Sequence, residues 1–211
     1  GDGTESNDTH VGHTYPSAGT YVVTLTATDG ELSDTETQDV TVSDEEPGDM
    51  PDFSVTINTA GGTSNYPLII GVSPDATDGY DAGIDQYAPP APPPPAFDAA
   101  LGWGGDRYYT QILASNTEER VFTIQLAYPE DNLITISWDN TGWGALGDFQ
   151  LQDAFGGSFI DVNMVDGSGT VNEAFASLDT SDPSNPVLSL FNPAVNTLAI
   201  FMTPIQKRPL C

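Results

Sequence analysis

Short segments of the chain alternate apolar and polar residues, which is the period of a β-strand with one buried face. The first such segment spans residues 20–28, where one face carries Tyr21, Val23, Leu25 and Ala27. Asp29 and Gly30 follow it as a turn signal, and a weaker alternation then runs through Val40 and Val42. The pattern predicts two strands joined by a turn.

The same alternation continues at greater length between residues 52 and 203. Its apolar stripes lie at Phe53–Ile57, Phe122–Tyr128, Ile134–Trp138, Phe149–Leu151, Ile160–Met164 and Leu198–Met202. Turn-forming residues separate the stripes, and no segment sustains the 3.6-residue period of a helix. Many short strands at this spacing predict an all-β fold, an antiparallel sandwich or jelly roll, with Trp138 in its core.

Composition changes along the chain predict the domain organisation. Residues 44–51 are acidic and contain proline and glycine, which is typical of a linker. The chain then divides into a unit at 1–43, a larger β-sandwich at 52–203 and a tail at 204–211. Inside the larger unit, residues 89–95 hold six prolines. They predict a stiff polyproline II strap across the sandwich surface; a recognition site for an aromatic groove is the alternative.

Charge restricts the partners of the protein. The 211 residues contain 31 acidic and four basic side chains, a formal net charge of −27. Nucleic acid and anionic membrane surfaces are therefore excluded as partners, because both are bound by clustered lysine and arginine. No apolar run is long enough for membrane insertion. Such a charge repels itself, so we expect stability to depend on salt or calcium.

The first 43 residues carry a specific string of motifs. They read Gly-Asp-Gly-Thr at 1–4, His-Thr-Tyr at 13–15 and Ala-Gly-Thr-Tyr-Val-Val-Thr-Leu-Thr-Ala-Thr-Asp at 18–29. This string resembles the second half of a PKD domain, an immunoglobulin-like sandwich that occurs as repeated modules in secreted and cell-surface proteins. The spacing of Gly19 and Tyr21 also suggests a corner tyrosine whose hydroxyl bonds back to the backbone.

One departure from the PKD pattern has consequences for function. PKD domains carry several strands before the Gly-Asp-Gly turn, whereas residues 1–43 begin at that turn and lack those strands. The apolar face of the first strand then lacks a partner sheet, and an unpartnered apolar strip indicates an interface. We therefore predict interface residues Tyr21, Val23, Leu25 and Ala27. The missing strands belong either to a longer polypeptide or to another chain, as in a filament.

Residues 50–203 look like a second β-sandwich module, of a type associated with large secreted, repeat-containing bacterial proteins. The segments that carry this resemblance are 71–81, the proline strap, 97–99 and 151–153. The resemblance implies no catalytic activity.

Four aspartates make one candidate metal site. Asp75, Asp78, Asp81 and Asp85 fall within eleven residues interrupted by glycines. Calcium prefers six to eight oxygen ligands, which a flexible aspartate-rich loop can supply, although the spacing is not that of an EF-hand. The sequence therefore predicts a calcium site, with a solvated acidic loop as the alternative.

Aromatic residues in glycine-rich loops make a candidate carbohydrate-binding surface. Its members are Trp103, Trp143, Tyr108 and Tyr109. Exposed rings offer flat apolar area to sugar faces. The alternative is that each tryptophan fills one end of the sandwich core.

Residues suited to catalysis are scarce. The two histidines, His10 and His13, lack zinc-ligand partners, and the lone cysteine is the final residue, Cys211. We predict that the protein is not an enzyme. The preferred function is an extracellular structural or adhesive module of a cell-surface assembly or filament, whose partners are other copies or segments of the same surface protein. The alternative is a carbohydrate-binding accessory module of a secreted polysaccharide-degrading enzyme.

Overall fold

The computed structural model describes residues 2–7, 13, 15, 17, 19–42, 50–103, 105–130 and 132–205. The chain divides into two compact units, 1–46 and 47–211, and each is described by itself. Most of the predicted linker at 44–51 and of the tail at 204–211 lies outside the described residues. No helix in the described ranges is long and apolar enough to cross a membrane.

The first unit contains an antiparallel hairpin of two strands, β1 (Gly19–Thr28) and β2 (Ser33–Val42). The predicted turn joins them. Asp29 Oδ1 accepts hydrogen bonds from the backbone N–H groups of Leu32 at 2.8 Å and Glu31 at 3.0 Å. These bonds hold the pKa of Asp29 below its usual range. Gly30 has a φ of +98°, which favours glycine there.

The described part of the second unit is also β-structure, with one short 3-10 turn at Trp143–Ala145. Its strands are β3 (Phe53–Gly61), β4 (Ser64–Ser73), β5 (Gln86–Tyr87), β6 (Asp98–Trp103), β7 (Asp106–Ala114), β8 (Arg120–Ala127), β9 (Ile134–Ser137), β10 (Gly147–Asp153), β11 (Ile160–Asn163), β12 (Gly169–Val171), β13 (Ala176–Asp179), β14 (Val187–Leu190) and β15 (Thr197–Pro204). The all-β prediction is confirmed.

These strands hydrogen-bond in the order β12-β11-β10-β15-β8-β6-β7-β4-β3-β9-β14-β13, and β5 pairs with β7. The pairs are antiparallel except for β4 with β7. Two contacts show that the two halves of this path lie face to face. The rings of Phe53 in β3 and Phe149 in β10 are 6.1 Å apart, and Trp138 Nε1 donates to the Met164 carbonyl at 2.8 Å. The fold is therefore a two-layered sandwich.

The predicted apolar stripes form a large part of the core of the sandwich, which also includes buried residues of β4, β6 and β14. Buried members are Val55, Ile57, Phe122, Ile124, Leu126, Ile134, Ile136, Trp138, Phe149, Leu151, Ile160, Val162, Met164, Leu198, Ile200 and Met202. Alternate residues of these strands face outward, as the two-residue period requires. The burial of Trp138 confirms its predicted place in the core.

The segment between β4 and β6 contains the aspartate loop and the proline strap, and two arginines hold it against the sandwich. Arg107 pairs with the buried carboxylate of Asp98 and donates from Nη1 to the Pro89 carbonyl at 2.9 Å. Arg120 Nη2 lies 3.2 Å from Asp78 Oδ1. No strand forms within 89–95, as expected for consecutive prolines.

Candidate functional site

The apolar face of β1 is exposed. Leu25 has 70% of its surface accessible to solvent and Val23 has 41%; Ala27 is exposed and Tyr21 half-buried. We call these four residues the apolar strip. They are consecutive same-face positions of one strand, so the strip is continuous along β1.

The cross-strand register places acidic residues along one side of the strip. Leu25 is paired with Glu36 and Ala27 with Asp34. The opposite face of β1 carries threonine at most positions, including Thr24, which is paired with a second threonine, and it also carries Val22, which is 46% exposed. One face of the hairpin therefore carries the apolar strip and its flanking carboxylates, and the other face carries mainly threonine.

A network of hydrogen bonds surrounds Asp2 in the same unit. The Thr4 hydroxyl and backbone N–H donate to Asp2 Oδ1 at 2.8 and 3.1 Å, and His13 Nε2 lies 2.7 Å from Asp2 Oδ2. The bonds from Thr4, followed by the bond with His13, lower the pKa of Asp2 to about 2. The Thr4 hydroxyl also lies 3.4 Å from His13 Nε2, so the three side chains together order the turn.

An aromatic ladder connects this network to β1. The ring of Tyr15 meets His13 edge to face, with centroids 4.6 Å apart, and stacks on Tyr21 at 4.3 Å. The Tyr21 hydroxyl donates to the Ser17 carbonyl at 2.7 Å. The predicted corner tyrosine is therefore confirmed, and it fixes the beginning of the apolar strip. His10 lies outside the described residues.

The structure does not bring the four candidate calcium ligands together. Asp81 Oδ2 accepts from the Thr77 N–H at 2.6 Å. Asp85 is buried, and its two oxygens accept from the N–H groups of Asp81 and Ile112, both at 2.8 Å. Asp78 pairs with an arginine instead of its neighbouring carboxylates.

The fourth aspartate of this set, Asp75, is exposed to solvent. Within the described ranges, no three histidine, cysteine, aspartate or glutamate side chains are grouped closely enough to hold a metal ion. The carboxylates of Asp78, Asp81 and Asp85 bond to backbone N–H groups or to arginine, and the calcium site stays a prediction.

Two of the four residues predicted for the carbohydrate surface are buried. Trp143 is 4% exposed and packs on Phe149 with centroids 4.8 Å apart, so it fills the end of the core, as the alternative expected. Tyr108 is also buried, and Tyr109 is half-buried and stacks on Tyr66. The side chain of Trp103 lies outside the described residues.

Sequence reasoning missed the aromatic pair that is exposed in this unit. Tyr80 and Tyr87 are 44% and 47% exposed and stack with centroids 4.4 Å apart. Tyr80 follows Gly79 inside the aspartate loop, and Tyr87 ends the two-residue strand β5. The polar, turn-rich sequence around both tyrosines could have indicated their exposure, because such segments lie at the surface.

The Gly-Asp-Gly turn ordered by His13, the aromatic ladder and the corner tyrosine together identify the first unit. Residues 1–43 match the family model of the PKD domain. This match confirms the resemblance for the hairpin unit, which we now call the PKD unit. No curated protein and no solved structure matches the chain. The family of the second sandwich stays a prediction.

PKD domains are immunoglobulin-like, typically extracellular and generally non-catalytic.

Proposed function

We propose that the protein is a non-catalytic structural module of an extracellular assembly, in which strands from outside residues 1–211 cover the apolar strip of the PKD unit. The observation that carries the proposal is the exposure of Leu25 and Val23 on a two-stranded hairpin. The strands come from another segment of the same polypeptide or from another chain of the assembly.

Energetics support covering the strip. A hairpin of two strands is at best marginally stable in water. Full burial of a leucine or valine side chain contributes about 1.5–3 kcal/mol. Because Leu25 is 70% exposed and Val23 41%, covering both supplies about 2–3 kcal/mol. Completion therefore converts a marginal hairpin into part of a stable sandwich.

Charge limits which surface can cover the strip. Glu36 and Asp34 flank it, and residues 1–46 contain no lysine or arginine. A partner surface that is neutral or basic at its edge fits, because an acidic edge would place like charges opposite one another. Where the partner is a second copy of this chain, salt is required to screen the repulsion.

The experiment measures the oligomeric state and the amide exchange of the purified 211-residue chain. The test variant is Leu25→Asn, and the matched control is Thr24→Asn, its neighbour on the opposite face. Concentration-dependent association that weakens about tenfold or more in Leu25→Asn, and not in Thr24→Asn, supports completion by another chain.

Two further outcomes separate the remaining cases. A monomer whose β1 and β2 amides exchange rapidly supports completion by another segment of the same polypeptide, because the hairpin then lacks its partner in the purified chain. A monomer whose hairpin amides are protected and which unfolds cooperatively overturns the proposal, since the PKD unit would be stable with its strip exposed.

A further inference from the structure

Three tyrosines of the second unit form a continuous stack at the surface. Tyr87 lies between Tyr80, whose ring centroid is 4.4 Å away at an interplanar angle of 21°, and Tyr108, at 4.8 Å and 25°. Tyr108 is buried, whereas Tyr80 and Tyr87 are nearly half exposed. The stack therefore connects a buried ring to two rings that solvent can reach.

The backbone around the two exposed rings is held on both sides. Tyr87 is paired with Tyr108 across β5 and β7, and the neighbouring Asp85 accepts a bond from the N–H of Ile112 in β7. Asp85 also accepts from the N–H of Asp81, the residue after Tyr80. The same buried carboxylate therefore ties both ends of the loop, and the contact between the two tyrosines is fixed by the fold.

We propose that Tyr80 and Tyr87 form a site of oxidative tyrosine coupling. A one-electron oxidant of the haem peroxidase class removes one electron and one proton from each phenol. The two phenoxyl radicals join by a carbon–carbon bond between ring positions ortho to the hydroxyls, and each coupled carbon then loses its hydrogen to the phenol oxygen. Overall, two tyrosines and one hydrogen peroxide give one dityrosine and two water molecules.

Contact and access together distinguish this pair from the other tyrosine stacks of the described structure. Tyr66 and Tyr109 are half-buried, and their centroids are 5.9 Å apart. Tyr15 and Tyr21 are closer, at 4.3 Å, but both are half-buried, and Tyr21 donates its hydroxyl hydrogen to a backbone carbonyl. An enzymatic oxidant therefore reaches the Tyr80 and Tyr87 rings most readily.

The coupling would give this chain an intrachain covalent crosslink, which its cysteine content does not provide. Cys211 is its single cysteine, so no disulfide can form within these residues. A dityrosine would join the aspartate loop to β5 beside the edge of β7. This crosslink needs an oxidising setting, which agrees with the extracellular character of PKD domains but does not depend on the proposed assembly.

The test treats the dilute 211-residue chain with a haem peroxidase and hydrogen peroxide, followed by dityrosine fluorescence and peptide mass spectrometry. The expected product is a monomer that has lost two hydrogen atoms, with the peptides of Tyr80 and Tyr87 joined. Tyr80→Phe and Tyr87→Phe should each remove at least nine-tenths of this crosslink, and Tyr66→Phe should retain it. Thermal unfolding of each variant checks that the fold is kept.

Repeating the oxidation in denaturant tests whether the fold holds the two rings together or whether their nearness in sequence is sufficient for coupling. The yield of the crosslink should fall severalfold in the unfolded chain, because the two rings are then no longer held in contact. An equal yield in denaturant overturns the proposal. So does coupling mainly at other tyrosines, coupling only between chains, or full retention of the fluorescence in both test variants.

Discussion

The carboxylate of Asp2 lies 2.7 Å from Nε2 of His13, eleven residues later in the chain. The contact joins the Gly-Asp-Gly turn to the aromatic ladder that ends at Tyr21. The geometry of the apolar strip therefore depends on a polar contact outside the hairpin strands.

Acid should loosen the PKD unit through this contact. The folded pKa of Asp2 is about 2, against 3.8 for the free side chain. A group with a lowered folded pKa stabilises the folded state above its unfolded pKa, and this stabilisation is lost as pH falls through the folded pKa. We expect the order around Asp2, His13, Tyr15 and Tyr21 to decrease between pH 3.8 and about pH 2. NMR titration of the Asp2 carboxyl and the His13 ring checks this.

The variant Asp2→Asn isolates the contribution of that carboxylate. It should show at neutral pH the disorder that the parent chain shows in acid, and it should lose the pH dependence in this window. An unchanged acid transition in Asp2→Asn would assign the effect to other carboxylates.

Core packing predicts different costs for two positions on opposite faces of β8. Ile124 is fully buried and Val121 is exposed. Ile124→Ala should lower the free energy of unfolding of the second unit by about 2–5 kcal/mol, because it removes buried methyl groups and leaves a cavity. Val121→Ala should change it by less than about 0.5 kcal/mol. Urea unfolding of the two variants gives the comparison, and equal costs would contradict the assigned faces of β8.

Asp153 should be required for the turn between β10 and β11. Its buried carboxylate accepts hydrogen bonds from the N–H groups of Phe155, Phe159 and Ile160, each at 2.7 Å. Asp153→Ala leaves these donors without an acceptor, at a cost of about 1–3 kcal/mol for each one that stays buried. Denaturant unfolding measures the loss, with Asp148→Ala, an exposed aspartate of the same strand, as the matched control. A loss no larger than that of the control would contradict this role.

The Arg107 and Asp98 pair should hold the proline strap. Arg107→Met leaves the buried Asp98 carboxylate unpaired, a change that costs about 3–5 kcal/mol in buried pairs and less here because Arg107 is partly exposed. It also removes the bond to the Pro89 carbonyl. The double variant Arg107→Met with Asp98→Asn should recover part of the stability but not the strap contact. Thermal unfolding measures the loss and recovery of stability, and limited proteolysis at 89–97 measures the loss of the strap contact.

Salt should stabilise the protein without selectivity for calcium. The net charge of −27 repels itself, and added ions screen that repulsion, so Tm should rise with sodium chloride. Calcium and magnesium chloride at equal concentration should raise it equally, because the four loop aspartates are not grouped into a site. A larger rise with calcium would show a specific site, as the spacing of Asp75, Asp78, Asp81 and Asp85 predicts.

Much of the fold can be predicted because the alternation of apolar and polar residues in a strand indicates which of its faces is buried. The spacing of Phe122, Ile124 and Leu126 alone assigns them to a buried face, and all three are buried. The corner role of Tyr21 is equally local, since its acceptor Ser17 is four residues away. Features of this kind depend on residues close in sequence, so they can be predicted without knowledge of the rest of the fold.

The candidate sites are less predictable because they depend on contacts between distant segments. The spacing of the aspartates suggests a cluster, but Asp85 bonds to Ile112, 27 residues away. Trp143 lies in a glycine-rich loop that suggests exposure, yet it is buried against Phe149. Neither partner can be identified from local composition.

The sequence by itself determined the all-β class, the faces of the strands, the hairpin turn and the PKD resemblance of residues 1–43, because each depends on short-range patterns of hydrophobicity and turn formation. Tertiary structure alone decided the order of the strands, the parallel pairing of β4 with β7, the partners of the aspartates and the stacking of Tyr80 on Tyr87. The strand order and the β4–β7 pairing require segments distant in sequence to meet, and backbone hydrogen bonding by itself does not select which segments do so. The tyrosines are close in sequence, but the segment that carries them is held by the bond of Asp85 to Ile112 in β7.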